Sequence, residues 1–349
     1  MLGLTPLEPG ASPVEALRRI ALLLERSRGG TYRVQAFRKA ADIVRGMPPA
    51  DLRAHLAADT LTHVPGLGAS TSAVVAEAAR GELPAYLLSL QQKASRPLVE
   101  GGAATYAALT GDLHSHSDWS DGGSPIDEMV LSAVELGQDW LALTDHSPRL
   151  KVARGLTAAR LRQQLGVVDA VNATLGQRFR LLRGIEVDIL DDGTLDQETE
   201  LLASLDVVTA SVHSKLKMPA EAMTRRMLAA IRNPRVDVLG HVTGRLVEGS
   251  RGVRAQSSFD ARAVFEACAE HDVAVEINSR PERCDPPDEL VTLALELGCR
   301  FAVDSDAHAP GQLEMKAYGA ERAERLGVPL DRIVTTWPVE RVLEWAGRG

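Results

Sequence analysis

The stretch Gly111–Gly122, GDLHSHSDWSDG, sets two histidines and three aspartates within twelve residues. In His114-x-His116 the imidazoles stand two residues apart, so in an extended segment both project to the same side and can face one ion. Asp306-x-His308 repeats the spacing far along the chain. Between these pairs come Asp121, His146, Glu186, His213 and His241. The set takes six of the nine histidines and leaves out His55, His63 and His271. For one histidine taken singly, a hydrogen-bonded core or surface role is the commoner outcome. So many imidazoles in one repeated context call for another explanation. Imidazole and carboxylate are donors for zinc, manganese and iron, and the absence of cysteine from the set argues against a closed structural zinc site. Nine donors exceed what one or two ions need. With one carboxylate bridging, three divalent ions (Zn, Mn or Fe) are expected, and Glu186, midway in the series, is the bridging candidate.

These side chains need elements that bring them together. Seven short apolar runs occupy residues 110–116, 140–146, 179–189, 205–214, 236–242, 273–279 and 300–308, and helical stretches alternate with them. Ser124 and Ser257 or Ser258 are the expected N-caps of two of those helices. Strand-helix repeats give a parallel sheet. Six of the seven runs end at their C-terminal tips in His, Asp or Glu, the face that carries chemistry in an α/β barrel. A barrel is therefore expected, with an open doubly wound sheet as the alternative. Before these runs, Pro13 to Leu90 shows apolar residues at three- and four-residue spacing and no strand pattern. Residues 91–108 mix polar, glycine and proline residues and read as a linker. The expected division is a helical domain over 1–90, that linker, and a catalytic domain over 109–349.

The 349 residues are 45% hydrophobic and 25% charged, the balance of a globular chain with a sizeable core. No apolar run approaches the ~20 residues of a membrane helix, and the first residues lack signal-peptide order, so a cytoplasmic, membrane-free location is expected. Cys268, Cys284 and Cys299 are few, odd in number and without CxxC spacing, which describes neither a disulfide frame nor a cysteine metal site. The net charge of −8 is uneven: residues 1–100 carry +3 and residues 101–349 carry −11. A mildly basic front and an acidic body suit an arm that meets phosphate and a body that holds cations.

The series DLHSHSDWSDG, TDH, GIEVDI, SVHS, GH, EIN and DSDAH resembles the polymerase and histidinol phosphatase (PHP) family. The resemblance implies a distorted seven-stranded (β/α)7 barrel with a trinuclear metal centre, all nine ligand positions being filled here. Within the family, RGIEVDILDDGTLD, LDVVTASVHS, VDVLGHVTGR and TTWPVERVLEW are most similar to the C-terminal PHP domain of bacterial X-family DNA polymerases. TYRVQAFRKAADIVRGMP followed by VPGLGAS resembles their N-terminal helix-hairpin-helix domain. Only the linker stands where the polymerase palm and thumb would lie, so no polymerase activity is expected. Val74 holds the place of a lyase lysine, which puts lyase activity in doubt.

The chemistry implied is metal-assisted hydrolysis of a phosphate ester, by hydroxide bridged between ions near Glu186 and available at a pKa near ~7. His114, His116, Glu186 and Asp306 would surround one ion; Glu186 and His213 serve a second; Asp121, His146 and either His308 or His241 serve a third. Arg154, Arg245 and Arg280 are candidates for substrate phosphate, with surface salt bridges as the alternative. Asn278 and Asp112 are candidates for orienting ligand rings. At the front, Gly66 and Gly68 with Ser70 form a hairpin before a helix, which can present backbone amides to a DNA phosphate; a plain helix-helix turn is the alternative. Arg33, Arg38 and Lys39 are further DNA-backbone candidates. The expected substrate is a DNA end, processed by a 3'-5' exonuclease or 3'-end trimmer in repair. The alternatives are a small-molecule phosphatase of the histidinol-phosphate type and a non-catalytic DNA-binding scaffold.

Overall fold

The computed structural model describes residues 4–249 and 252–347. The chain forms two compact units, Leu4–Pro97 and a larger one from Leu98 onward. The first holds helices α1 (Pro13–Arg26), α2 (Thr31–Gly46), α3 (Pro49–Ala57), α4 (Ala69–Ala79) and α5 (Ala85–Ala94). Helix α1 starts where the sequence supplies a capping box. Ser12 Oγ accepts from the Glu15 amide at 3.3 Å, the Ser12 amide donates to the Glu15 carboxylate at 2.8 Å, and Pro13 fills the first turn. Leu17, Ile20 and Leu24 of α1 share one core with Phe37, Val44, Val75 and Leu87 from α2, α4 and α5. Before α4 the chain turns at Gly66, whose φ of +96° suits glycine and where a Cβ would meet Ile43 Cδ1 at 2.6 Å.

Of the stretch 91–108, read from the sequence as a linker, α5 takes the part up to Ala94 and a short helix α6 covers Ala103–Ala108. The larger unit continues with helices α7 (Ile126–Glu135), α8 (Ala158–Leu175), α9 (Thr199–Leu202), α10 (Ala220–Ile231), α11 (Ala261–Glu270), α12 (Asp288–Glu296), α13 (Lys316–Arg325) and α14 (Val339–Ala346). Among them run strands β1 (Trp140–Leu143), β2 (Arg180–Asp188), β3 (Val207–Ser211), β4 (Val238–Leu239), β5 (Ala274–Asn278) and β6 (Phe301–Asp304). All pair in parallel in the order of the chain. The expected N-caps differ. Pro125 rather than Ser124 precedes α7, and Asp260, accepting from the Ala263 amide at 3.1 Å, replaces Ser257 or Ser258 before α11.

The strands are apolar on both sides because both sides are covered. One face, with Ile185, Val187, Val208, Leu239, Val275, Ile277 and Val303, packs among residues of the surrounding helices. The other gathers Trp140 and Ala142, Leu182, Val207, Val238, Ala274 and Ala302 into a single cluster with Trp337, Val342 and Trp345. Six flat strands would spread these side chains over about 24 Å. One cluster with residues from all six strands requires a curled sheet, and alanine on three of the strands makes room for it.

Among the described residues the sheet has six strands, not the seven expected. Residues 110–116 form no regular strand because neighbouring side chains take their amides: Leu113 donates to Asp304 Oδ1 at 2.9 Å, His114 to Asp112 Oδ1 at 3.2 Å and Ser115 to Thr144 Oγ1 at 3.0 Å. What remains is a bridge between Ser115 and Ala307, with bonds from Ala142 N to Asp112 O and Thr144 N to Ser115 O, each 2.8 Å. Among the described residues, no helix is long and apolar enough to cross a membrane.

Candidate metal centre

The nine side chains meet at the C-terminal end of the sheet. Glu186 is within β2, while His146, His213, His241 and the pair Asp306 and His308 follow β1, β3, β4 and β6 by a few residues. His114 and His116 face the same cluster, whereas Ser115 between them turns away and donates to Ala142 O at 2.7 Å. Asp121 arrives on a loop pinned by Asp145, which accepts from Ser117 N at 2.9 Å and Ser117 Oγ at 2.6 Å. Gly122 closes that loop: its amide donates to Ser117 O at 2.9 Å, and a Cβ would lie 2.6 Å from the same carbonyl. His241 and Asp306 are held at φ of 21° and 49°, a region that non-glycine residues adopt at a cost and that gathers at functional sites.

Glu186 is the centre of the arrangement. Its Oε2 lies 2.7 Å from His146 Nδ1, 3.3 Å from His114 Nε2 and 3.6 Å from His116 Nε2. Its Oε1 lies 2.8 Å from His241 Nε2 and 3.2 Å from His213 Nε2. Asp121 Oδ1 stands 3.4 Å from both His146 Nε2 and His308 Nε2. Asp306 Oδ1 is 3.4 Å from His116 Nε2 and 3.8 Å from His114 Nε2. Three overlapping groups have donor atoms all within 4.8 Å of one another: His116, Asp121, His146 and His308; His114, His116 and Glu186; His146, Glu186 and His213.

Burial opposes charge throughout this cluster, and the neighbours decide which side wins. For His146, burial lowers the pKa, but Glu186 and Asp121 outweigh it and raise the value to about 10. His116 goes the other way, to about 3, because burial is reinforced by His308 and His146, whose rings lie 4.2 and 4.5 Å away. Burial raises the pKa of Glu186, yet His213, His146 and His114 hold it well below the carboxylate range.

The residues fit a metal by a test internal to the structure. His114 Nε2, both nitrogens of His116, His146 Nδ1, Glu186 Oε2, His213 Nε2 and His241 Nδ1 are buried without a hydrogen-bond partner. Such atoms are costly unless something else binds them, and divalent cations accept the lone pairs of imidazole and carboxylate.

Several supporting residues escaped the sequence reading. Glu276 of β5 lies 2.6 Å from His114 Nδ1, and Asp188 of β2 lies 3.1 Å from His213 Nδ1. Arg283 belongs with them: its Nε donates to Asp306 Oδ2 at 3.0 Å. Asn278, expected from the sequence to orient a ligand ring, instead donates from Nδ2 to the same carboxylate oxygen at 3.0 Å. Asp112 orients no ring; its Oδ1 accepts from the amides of His114 and Ser305. The three expected phosphate arginines do not line the cavity beside the histidines, where Arg254 and Arg283 stand instead. Arg154, at a φ of 56°, donates to Asp118 O; Arg245 Nε donates to Cys284 O at 3.0 Å; Arg280 pairs with Glu282 and reaches His308 Nδ1 at 2.9 Å. In the helical unit Gly66, Gly68, Ser70 and Arg33 border one cavity of about 730 Å³. Lys39 is exposed close to Gly66, whereas Arg38 turns to Glu25 in a two-pronged pair at 2.8 and 3.0 Å.

Six imidazoles and three carboxylates converging at the strand tips of a curled parallel sheet describe a metal-dependent hydrolase centre. The sequence comparison agrees: residues 112–280 match the PHP domain, whose members are metal-dependent phosphatases or phosphoesterases. The DNA polymerase/3'-5' exonuclease PolX of Bacillus subtilis is 41% identical over 217 residues, 62% of this chain but 37% of that protein. The chain thus spans little more than a third of the length of that relative. A probable phosphatase of Vibrio parahaemolyticus is 28% identical over 246 residues, 64% of this chain and 88% of its own. Among solved structures, the histidinol phosphate phosphatase of Lactococcus lactis, complexed with zinc, L-histidinol and phosphate, aligns with a TM-score of 0.46 at 18% identity. The alignment covers 63% of this chain and 94% of that one.

Proposed function

We propose that the chain hydrolyses phosphate esters at DNA ends, as a 3'-5' exonuclease or 3'-end trimmer, with three divalent ions of zinc, manganese or iron held by its nine donors. The observation that carries the reading is the two-sided placement of Glu186, with one oxygen toward His114, His116 and His146 and the other toward His213 and His241. His114, His116, Glu186 and Asp306 would hold one ion; Glu186, His213 and His241 a second; Asp121, His146 and His308 a third. His241, which the sequence left open between groups, goes with Glu186 Oε1. When bound, such ions acidify water and neutralise charge on phosphoryl oxygens.

The chain's own groups keep these donors aimed. Glu276 fixes the His114 ring and Asp188 the His213 ring. Arg283 and Asn278 occupy Asp306 Oδ2, so Oδ1 stays turned to the histidines. Arg283 also sets a cation in the cavity wall, suited to a phosphate anion. Action on DNA is supported by the likeness to PolX and by the start of α4. There Gly66 and Ser70 can offer backbone amides to a phosphate, whereas the Gly68 amide donates to Thr71 Oγ1 at 2.9 Å, and Arg33 and Lys39 are exposed on α2.

The test is a side-by-side assay of a labelled 3'-recessed duplex, the same duplex ending in a 3'-phosphate, and histidinol phosphate. One of the duplexes is expected to be processed fastest, with activity lost in Asp306→Ala. Rapid turnover of histidinol phosphate with both duplexes intact would replace the DNA reading by a small-molecule phosphatase.

A further inference from the structure

Two of the arginines expected at the substrate phosphate border a different cavity. Arg245 and Arg280 stand in the wall of a pocket of about 580 Å³ at the tip of β5, and its lining has no residue in common with the cavity beside the histidines. A volume of this size suits one small organic ligand. Arg322 and Arg325 of α13 bring the guanidinium groups of the wall to four, and Asn278 and Ser279 add an amide and a hydroxyl.

The wall also has carboxylates, but they are paired or in water. Asp288 meets Arg322 at 3.0 Å and Arg325 at 2.9 Å, and Glu321 meets Arg325 at 2.8 Å. Glu248 and Glu289 are exposed, where salt screens them. Arg245 Nε donates instead to the carbonyls of Cys284 at 3.0 Å and Arg283 at 3.2 Å, bonds that orient the guanidinium and leave its charge in place. Among the described residues, nothing hydrogen-bonds Ser279 Oγ or Arg322 Nη1, although both atoms are buried. Donors left so are costly, and an oxyanion supplies several acceptors at once. Arginine forks match the oxygens of a phosphate group in particular. Pro281 and Pro287 give the organic part of such a ligand an apolar surface.

Two residues of this wall also support the metal centre. Asn278 Nδ2 donates to Asp306 Oδ2 at 3.0 Å, and Arg280 Nη1 lies 2.9 Å from His308 Nδ1. We infer that the cavity is a second anion site: it takes a small phosphate-bearing molecule as an effector, and Asn278 and Arg280 carry the effect to the metal centre. Binding here requires neither metal nor turnover, so the site stands apart from the reading of the nine donors.

Cys284 supplies the readout, since it is partly exposed and lies in the lining of this cavity and not of the one beside the histidines. The full-length, metal-loaded protein is treated briefly with iodoacetamide, an uncharged reagent, in the presence of phenylphosphonate, which has no ester bond to hydrolyse, or of benzyl alcohol as the uncharged control. At about ten times its Kd, phenylphosphonate should slow the labelling of Cys284 about tenfold, because only the free cavity reacts. Benzyl alcohol should leave the rate unchanged. Protection should be lost in Arg245→Gln and weakened in Ser279→Ala, which removes an oxygen without a hydrogen-bond partner and so spares the fold. It should persist in Arg254→Gln, in the wall of the other cavity. Phenylphosphonate should also shift kcat for a chromogenic ester in the wild type and not in Arg245→Gln, whereas competition at the metal centre raises KM alone. Equal labelling with and without phenylphosphonate, or protection that survives in both Arg245→Gln and Ser279→Ala, overturns the site. Protection with kcat unmoved overturns the effector role.

Discussion

Replacing Glu276 by glutamine keeps the side chain's shape and reverses the hydrogen-bond polarity of one of its two terminal atoms. Three donors converge on this carboxylate: the His114 ring through Nδ1 at 2.6 Å from Oε1, and the His241 amide and Asn278 Nδ2 on Oε2. Glutamine offers one oxygen where two are needed. If its NH2 faces His114, the ring must accept at Nδ1 and carry its proton on Nε2, the atom turned toward Glu186 and Asp306. A protonated Nε2 cannot bind a cation. If the NH2 faces the other way, two buried donors lose their acceptor, at about 1–3 kcal/mol each. The first arrangement is cheaper, so the variant should fold and bind metal poorly. Loss of an orienting carboxylate weakens metal sites by about 10–100-fold, roughly 1.4–2.8 kcal/mol. Elemental analysis after dialysis and titration against a fluorescent chelator measure this directly, with kcat/KM for a chromogenic ester read in parallel. Wild-type metal content and affinity in Glu276→Gln would refute the proposed role of Glu276 in setting the His114 tautomer.

Three further outcomes are expected. Chelation of the purified protein should lower its melting temperature by about 8 °C relative to protein held at a thousandfold excess of metal over Kd, measured by calorimetry; an unchanged transition would speak against metal in the cluster. Arg33→Ala and Lys39→Ala should weaken binding to a duplex end in a fluorescence anisotropy titration, whereas Arg38→Ala should leave that affinity near wild type. Arg38→Ala should instead cost about 1.5–3 kcal/mol in urea unfolding, since it removes a two-pronged hydrogen-bonded pair with buried Glu25. Burial pushes the Cys299 thiol up to about 12 and the Cys268 thiol well above its ordinary value, so at pH 8 neither supplies thiolate. Mass spectrometry after brief alkylation of the native protein should find label at partly exposed Cys284 alone, and at all three cysteines in denaturant.

Most of the donors were legible because they sit where local spacing is informative, at or near the end of an apolar run or two residues from another donor; Glu186 lies inside its run and Asp121 just beyond one. The helical front was legible for a similar reason, since Leu17, Ile20 and Leu24 repeat at helical spacing. Glu276 was not. It stands inside the run VAVEINS and gains its meaning from His114, 162 residues away. Its only local signal is a lone acid in a strand buried on both faces. Asp188 had a better signal, the two-residue spacing from Glu186 that also links His114 to His116. The phosphate arginines depended on turn geometry that no pattern encodes. Arg280 and Arg283 leave the same strand, and the turn after β5 aims Arg283 at Asp306 while Arg280 pairs with Glu282. The missing seventh strand has the same origin. Residues 110–116 have a strand's apolar pattern, but Asp112, Thr144 and Asp304 compete for their amides, and such competition is visible only once the segments are side by side.

The cluster works against the fold that carries it. Seven buried nitrogen or oxygen atoms of the donor set lack hydrogen bonds, and at about 1–3 kcal/mol apiece they would cost on the order of ten kcal/mol, comparable with the net stability of a domain. Ion pairs centred on Glu186 recover part of this, but they cannot serve six crowded rings at once, and burial, reinforced by His308 and His146, disfavours charge on His116. The rest must come from the two apolar cores on either face of the sheet. They hold the strand tips in place whether or not the donors are satisfied. A centre assembled this way is preorganised. Its donors are brought together by packing that does not depend on metal, so the binding energy of the cations need not be consumed in assembling the site and is available to stabilise the loaded fold.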